Sequence, residues 1–328
     1  MENKSLTAEN NEQTLTWTGE MFIPWMEGAS IHYEHIHRYA FAADFVANKE
    51  VLDLACGEGY GSNMLAKEAK RVVGLDMNKL AINHARHKYN RDNLEFIQGS
   101  IFDIPIKGER IFDIVVCFEA IEHIAEHDKL LLEVKRLIKS NGLLIISTPN
   151  KAVYTDEPKY NNPFHIKELY LDDFRQLLGN YFTYVNLHGQ RIFVGSNIWN
   201  LIPCKNRNFK EYPVKKSDFE FVFPESSMID KIPRFFIAVA SDSKIDTEAA
   251  IDSWLVDLNN VLINELQANT LNLKRNISDL NKKVLNLQRT IESIHSSYSW
   301  RIGKKITSIL SKVLQRGKKE ITNYKCSP

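Results

Sequence analysis

Three side chains with the chemistry of a reactive site stand close together in Phe118-Glu119-Ala120-Ile121-Glu122-His123-Ile124. On a helix opening at the end of the apolar run before it, Glu119, Glu122 and His123 fall at i, i+3 and i+4, which is one face and one turn. Two carboxylates and an imidazole so placed make either a metal half-site or an acid/base cluster. A third reading is structural: the same groups cap helices and tie loops together. Another imidazole, His165, follows in Asn161-Asn162-Pro163-Phe164-His165-Ile166, just before an acidic helix predicted over Lys167 to Leu178.

A second constellation lies upstream, where the apolar run from Val51 meets Gly57, Gly59 and Gly61 and then a helical pattern. Glycines there let the backbone pass close under a ligand and turn into a helix whose free N–H groups face it. The spacing is G-x-G-x-G, whereas a dinucleotide loop needs G-x-G-x-x-G to set a pyrophosphate at the helix N-terminus. Asp53, four residues before the first glycine, would repel a pyrophosphate and suits an ammonium group. Asp76 ends the next apolar run, Arg71 to Leu75, where a carboxylate can accept both hydroxyls of a ribose.

The elements that must position these groups follow from periodicity. Strands are predicted near 50 to 55, 71 to 75, 94 to 98, 112 to 118 and 143 to 147, with helical stretches between them. Such alternation argues an α/β domain, a doubly wound parallel sheet covered on both faces, with ligands beyond the carboxyl ends of the strands. Before the first strand, residues 31 to 42 read as a helix carrying His32, His35 and His37. Positions i, i+3 and i+5 do not all share a face, so these three alone make a poor metal cluster. Tyr181 to Leu187 and Arg234 to Ala240 are predicted as an antiparallel strand pair closing the sheet. The insert between them, residues 189 to 233, is rich in Lys, Asn, Pro and aromatics, and connections of that length are functional or disordered.

With 328 residues, 44% hydrophobic and 25% charged, the chain has the composition of a soluble globular protein. Its formal net charge is +1, but residues 300 to 328 hold eight Lys or Arg against one Glu, so everything before them is acidic. That balance disfavours RNA or DNA as a partner of the globular part. Four cysteines, Cys56, Cys117, Cys204 and Cys326, show neither paired nor regular spacing, which suits a reducing compartment. No signal-peptide pattern and no 18-residue apolar run is found. Residues 1 to 14 are polar and read as disordered. The globular part is expected to end near Ser243.

From Val256 a heptad runs through Ile263, Thr270, Ile277, Val284 and Ile291 at a, and Leu266, Leu273, Leu280, Leu287 and Ile294 at d. Mostly β-branched residues at a with leucine at d favour a parallel two-stranded coiled coil over residues 251 to 295, with a trimer open because Asn259, Thr270 and sparse e and g charges weaken the partner code. Residues 298 to 328 then form a basic amphipathic tail. Ile302, Ile306, Ile309, Leu310, Val313 and Leu314 make one stripe, opposed by Lys304, Lys305, Lys312, Arg316 and Lys319, a pattern suited to a membrane surface or a nucleic acid.

Taken with Asp53 and Asp76, the glycine loop makes residues 15 to 243 resemble the class I S-adenosylmethionine (SAM) dependent methyltransferases. The resemblance implies a Rossmann-like seven-stranded sheet. It also implies a cofactor set of Arg38, Tyr39, Asp53, Gly57, Gly59, Gly61, Asp76, Met77, Ser100, Ile101 and Phe118. Ser100 stands where the family usually has Asp, and a hydroxyl or a backbone carbonyl could accept the same adenine hydrogen bond. In the family, the region of residues 189 to 233 shapes acceptor specificity. The E-x-x-E-H run resembles that of ubiquinone-biosynthesis methyltransferases and of small-RNA 2′-O-methyltransferases. In the latter it holds a divalent metal together with a histidine after the fifth strand. Carried over, the ligands of Mg or Mn are Glu119, Glu122, His123 and His165. Without metal, His123 or His165 serves as general base. The segment Ser297-Tyr298-Ser299-Trp300-Arg301-Ile302 behind a coiled coil is similar to tails of bacterial surface-polysaccharide enzymes. It implies O-methylation of a sugar hydroxyl on a lipid-linked glycan, by an oligomer held peripherally on the cytoplasmic face of an anionic membrane. The rivals are a small-molecule or RNA methyltransferase and an inactive scaffold for glycan enzymes.

Overall fold

The computed structural model describes residues 22–23, 28–193, 215–216, 221–222, 232–245 and 253–323. The expectations for residues 1 to 14, most of the insert and the end of the tail lie outside them. Two compact units divide the chain, residues 1–256 and 257–328, a boundary 13 residues beyond the expected one at 243.

The first unit is built on seven strands: β1 (Glu50–Leu54), β2 (Arg71–Asp76), β3 (Leu94–Gln98), β4 (Phe112–Cys117), β5 (Ile138–Pro149), β6 (Tyr184–Gln190) and β7 (Phe235–Ser241). Their order is β3-β2-β1-β4-β5-β7-β6, a Rossmann-like sheet. The first five run parallel; β7 enters antiparallel between β5 and β6. Because β7 is internal, every one of its residues is buried, whereas β6 is an edge with a half-buried pattern. The closing pair therefore exists, but β6 starts at Tyr184, three residues later than predicted.

Strand alternation sends side chains to two cores. Leu52, Leu54, Val115, Cys117, Leu144 and Ile146 face one side of the sheet, where Leu130, Leu131, Val134 and Leu137 of α4 (His127–Leu137) cover them. Val51, Ile114, Val116 and Ile145 face the other, under Tyr39 and Ala42 of α1 (Ala29–Ala43) and Leu65 of α2 (Tyr60–Leu65). Burial on both faces is what near-continuous apolar runs such as Val51-Leu52-Asp53-Leu54 require. Helix α3 (Lys79–Lys88) starts where Asn78 Oδ1 accepts the backbone N–H groups of Leu80 and Ala81 at 2.9 and 3.3 Å. Helix α5 (Leu171–Gly179) buries Phe174 and Leu178, one turn apart, and carries Asp172 and Asp173 at its positive N-terminal end. It begins four residues later than predicted, leaving Lys167 and Glu168 in the preceding loop.

The second unit consists of α6 (Val261–Ser296) and α7 (Tyr298–Asn323). Val256 and Asn259 precede the helix, so the heptad becomes helical only from Val261. Between the helices Ser297 adopts an extended backbone (φ −62°, ψ 145°), and its Oγ accepts the N–H of Trp300, an N-cap that starts α7. All a and d residues within α6, and all six stripe residues of α7, are exposed within this chain. No described helix is long and apolar enough to cross a membrane.

Candidate functional site

The strand order reverses between β1 and β4, and in open α/β sheets ligands bind in the crevice outside such a switch point. Both strands end there on a non-glycine residue with left-handed backbone, Ala55 (φ 55°) after β1 and Glu119 (φ 49°) two residues after β4. Conformations of this kind cost about 1–3 kcal/mol and cluster at functional sites.

On the β1 side, Gly57 and Gly59 also take positive φ, 57° and 91°. Asp76 ties this loop down: Oδ2 accepts the N–H of Gly57 at 2.9 Å and Oδ1 that of Asn78 at 2.7 Å. Between the glycines Glu58 is fully buried, accepting from Tyr89 Oη at 2.8 Å and Lys88 Nζ at 3.2 Å. The one local signal for Glu58 is an acid set between two glycines.

Asp53 is placed differently from expectation. Its carboxylate is fully buried and accepts from Ser62 Oγ at 2.6 Å and Tyr39 Oη at 3.1 Å, so it braces the loop rather than facing an open crevice. Burial pushes its pKa from 3.8 up to about 7 against those two hydrogen bonds. Tyr39 is likewise internal, its ring lying where a Cβ on Gly61 would stand 2.0 Å from it. Phe118 meets Tyr39 edge to face and is buried. Met77, 78% exposed, and Ser100 are open to solvent, and Ile101 is half-buried. Ser100 Oγ accepts the N–H of Phe102, closing a turn after β3.

The β4 side departs more from the sequence reading. No α-helix opens at Glu119: a single 3-10 turn, Ile121–His123, follows, and α4 starts at His127. The i, i+3, i+4 face is therefore not formed. Glu119 turns away, accepting from Ser147 Oγ at 2.6 Å and pairing with Arg38 Nη1 at 3.4 Å. Glu122, His123 and His165 do come together, with one ligand atom of each within 4.8 Å of the others. Burial, and then Glu119, push the Glu122 carboxyl well above the usual carboxylate range, and its Oε2 is buried without a hydrogen-bond partner. His123 Nδ1 donates to the Phe164 carbonyl at 3.0 Å, which turns Nε2 toward Glu122 Oε1, 3.9 Å away. His165 donates from Nδ1 to Glu168 at 2.5 Å and accepts at Nε2 from Asn162 Nδ2 at 3.0 Å. The His165 tautomer follows from Asn162 Oδ1 being taken by the N–H of Phe164, and that of His123 from the carbonyl at its Nδ1.

Further groups stand around this cluster. Tyr154 stacks on His165, with ring centroids 5.3 Å apart, and Arg234 lies over Tyr154 at 5.2 Å. Burial lifts Glu34 of α1 from 4.5 to about 7, opposed by Arg38 and Arg234. Arg38 itself is 1% exposed; Nη1 donates to Gln190 Oε1 at 3.0 Å, while Nε and Nη2 have no hydrogen-bond partner. The α1 histidines disperse. His35 stacks on Phe22 and pairs with Tyr60 Oη at 3.2 Å, His32 meets Phe22 edge to face, and His37 Nε2 pairs with Ser253 Oγ at 2.9 Å.

Residues 45–193 match the family model described as a methyltransferase domain. The segment spans the glycine loop, Asp76 and the Glu122–His123–His165 cluster. The chain is similar over 168 residues, at 34% identity, to the probable S-adenosylmethionine-dependent methyltransferase Rv3030 of Mycobacterium tuberculosis, covering 50% of this chain and 60% of that protein. It is also 34% identical over 113 residues to a ubiquinone biosynthesis O-methyltransferase of Vibrio vulnificus, covering 34% and 48%. A SAM dependent methyltransferase from Archaeoglobus fulgidus aligns in structure at 16% identity and a TM-score of 0.45, over 64% of this chain and 92% of that one. The chain thus spans about half to three-fifths of the length of these sequence relatives.

Proposed function

We propose that the chain is a SAM-dependent O-methyltransferase. The observation that carries this is the β1–β2 rim, where a left-handed glycine loop is tied to Asp76 within the segment matching a methyltransferase domain. The residues fit the cofactor. Gly57 and Gly59 offer a cradle without side chains, Asp76 is a carboxylate at the end of β2 that could accept ribose hydroxyls, and the unpartnered Nε and Nη2 of buried Arg38 suit the methionine carboxylate.

S-adenosylmethionine supplies a methyl group already activated on a sulfonium. What the chain must add is removal of the acceptor proton, because a neutral hydroxyl is a poor nucleophile. His123 is the better placed base: with Nδ1–H spent on the Phe164 carbonyl, its Nε2 carries the lone pair. His165 is oriented by Glu168, and Asn162 must swing off Nε2 before a proton can be taken there. A divalent ion would also fit the donor set of Glu122, His123 and His165 once Asn162 swings off His165 Nε2, and there it would lower the pKa of a bound hydroxyl. Both imidazoles are held through Nδ1 by carbonyl or carboxylate acceptors, as histidine ligands commonly are. Two imidazole donors favour Mn over Mg. Glu119 stays outside this group unless it leaves Arg38 and Ser147.

The acceptor we assign is a sugar hydroxyl of a lipid-linked bacterial surface glycan, with the exposed a/d seam of α6 pairing copies of the chain and α7 resting on the anionic inner face of the membrane. A parallel pair sets two basic helices side by side, and the second contact then benefits from high effective concentration. The similarity to a ubiquinone biosynthesis O-methyltransferase supports a second reading, a phenolic small molecule as acceptor. Labelled SAM with crude lipid-linked oligosaccharide, quinone precursors and RNA separates them. Label is expected in the oligosaccharide fraction, and label in the quinone fraction alone selects the second reading.

A further inference from the structure

A cavity of about 440 Å³ opens between one face of α1 and the end of edge strand β6. Tyr33, His37 and Phe41, spaced by single helical turns, form one wall. The segment Gly189–Phe193 and Pro233 form the second, and Ser253-Trp254-Leu255 closes the third. The volume falls in the range of about 300–1,000 Å³ typical of small-molecule sites.

The lining is of two kinds. Aromatic side chains come from Tyr33, the buried Phe41, Phe193 and Trp254, the last two 50% and 44% exposed. Hydrogen-bonding groups come from His37 and Ser253, joined at 2.9 Å, and from Arg191, whose Nη1 is held by the Ile232 carbonyl at 3.0 Å. A purely apolar ligand would use none of the further hydrogen-bonding capacity of Ser253 and Arg191, and a small ion would make no use of the aromatic rings. A sugar ring answers both, since its C–H faces lie on aromatic rings while its equatorial hydroxyls reach donors and acceptors at the rim.

The position is also informative. Gly189 to Phe193 and Pro233 are the two roots of the insert, so chain divergence there changes this cavity directly. Gln190 is at once part of its wall and the partner of Arg38, which pairs with Glu119, so a chain of buried polar contacts runs from the cavity wall to the end of β4. We propose that this cavity is a saccharide subsite that holds a sugar ring of the acceptor away from the hydroxyl that is methylated. The inference rests on the glycan reading above and adds to it the residues that recognise the glycan.

The test is retention of the full-length protein on an array of bacterial surface oligosaccharides, followed by titration of the retained sugars by calorimetry. Trp254→Ala and Phe193→Ala are each expected to weaken binding of those sugars tenfold or more. Both side chains are well exposed, so truncation leaves no buried void, and Arg191→Ala, expected to lose several-fold, gives a third reading that does not touch aromatic packing. Unchanged sugar affinity in all three variants overturns the proposal, as does an array on which the wild-type protein retains nothing. Failure of the transferase reading looks different: a wild-type chain that binds sugars but not S-adenosylhomocysteine keeps the subsite and loses the methyltransferase.

Discussion

The two rims of the crevice are made in different ways. At the ends of β1 and β2 the working parts are backbone groups, and each acid nearby is already engaged: Asp53 by Tyr39 and Ser62, Glu58 by Tyr89 and Lys88, Asp76 by two backbone N–H groups. Beyond β4 and β5 the working parts are side chains, and several buried polar atoms lack partners, namely Glu122 Oε2, Glu168 Oε2 and two nitrogens of Arg38. An unmade buried hydrogen bond costs roughly 1–3 kcal/mol, so the second rim carries a penalty that a ligand can relieve. The first rim is preformed, whereas the second keeps buried polar atoms without partners.

If the first rim is preformed, it must also carry a cost internal to the fold, and pH should expose it. Asp53 titrates at 3.8 when unfolded and about 7 in the folded chain. The folded state therefore holds the proton more tightly, so stability is fully present below pH 3.8 and is lost as pH rises through about 7. The whole shift is worth on the order of 4 kcal/mol. Urea midpoints of wild type and Asp53→Asn should diverge between about pH 4 and pH 8, with the wild type falling. Parallel pH profiles would mean that Asp53 is not a buried acid. Next in size is Gly61→Ala, which sets a methyl group 2.0 Å from the Tyr39 ring and should cost about 3 kcal/mol by overpacking. A thermal midpoint within a degree of wild type would show that α1 is not locked onto the loop.

Legibility in the sequence follows the same division. The glycine loop and Asp76 were readable because their chemistry lies in the backbone and in adjacent strand ends, which local spacing reports directly. Strand positions are readable for the parallel half, where each strand is a continuous apolar run. The Glu119–Glu122–His123 face was misread because helical spacing was extended over a segment that forms only one 3-10 turn; Glu119 then takes positive φ and leaves the cluster. Glu168, Asn162 and Gln190 were missed for a different reason: their partners, His165, His165 and Arg38, are fixed by the tertiary path of a loop and an edge strand. In α6 the heptad was plain, yet Val256 and Asn259 fell outside the helix, which starts only after Asn260 turns left-handed at φ 53°.

Asp76→Ala sharpens the contrast from the ligand side. It removes the acceptor of two backbone N–H groups and of the ribose hydroxyls we assign to it, which should weaken S-adenosylhomocysteine by about 1.5–3 kcal/mol, roughly 10- to 150-fold. Calorimetry reads the difference. An affinity unchanged from wild type would move the ribose elsewhere and leave Asp76 as a loop tie alone.

Glu122→Gln is expected to have the smallest effect on the fold and to say most about the second rim. Burial already holds this carboxyl toward its neutral form, and its backbone carbonyl, which accepts from Ile166 and Lys167, is unaffected by the change. An amide of the same shape also relieves the repulsion from Glu119 and Glu168, so stability at pH 8 should change by no more than about 1 kcal/mol, upward if at all. Ion binding should behave oppositely. A ligand that binds only the folded state raises stability by mass action, so millimolar MnCl2 should raise the wild-type thermal midpoint and leave Glu122→Gln where it was. Equal shifts in both proteins would put the ion elsewhere. No shift in either, together with full methyl transfer in the presence of chelator, would leave the proton to His123 alone, and the unpartnered oxygens of this rim would then be a cost borne for acceptor binding.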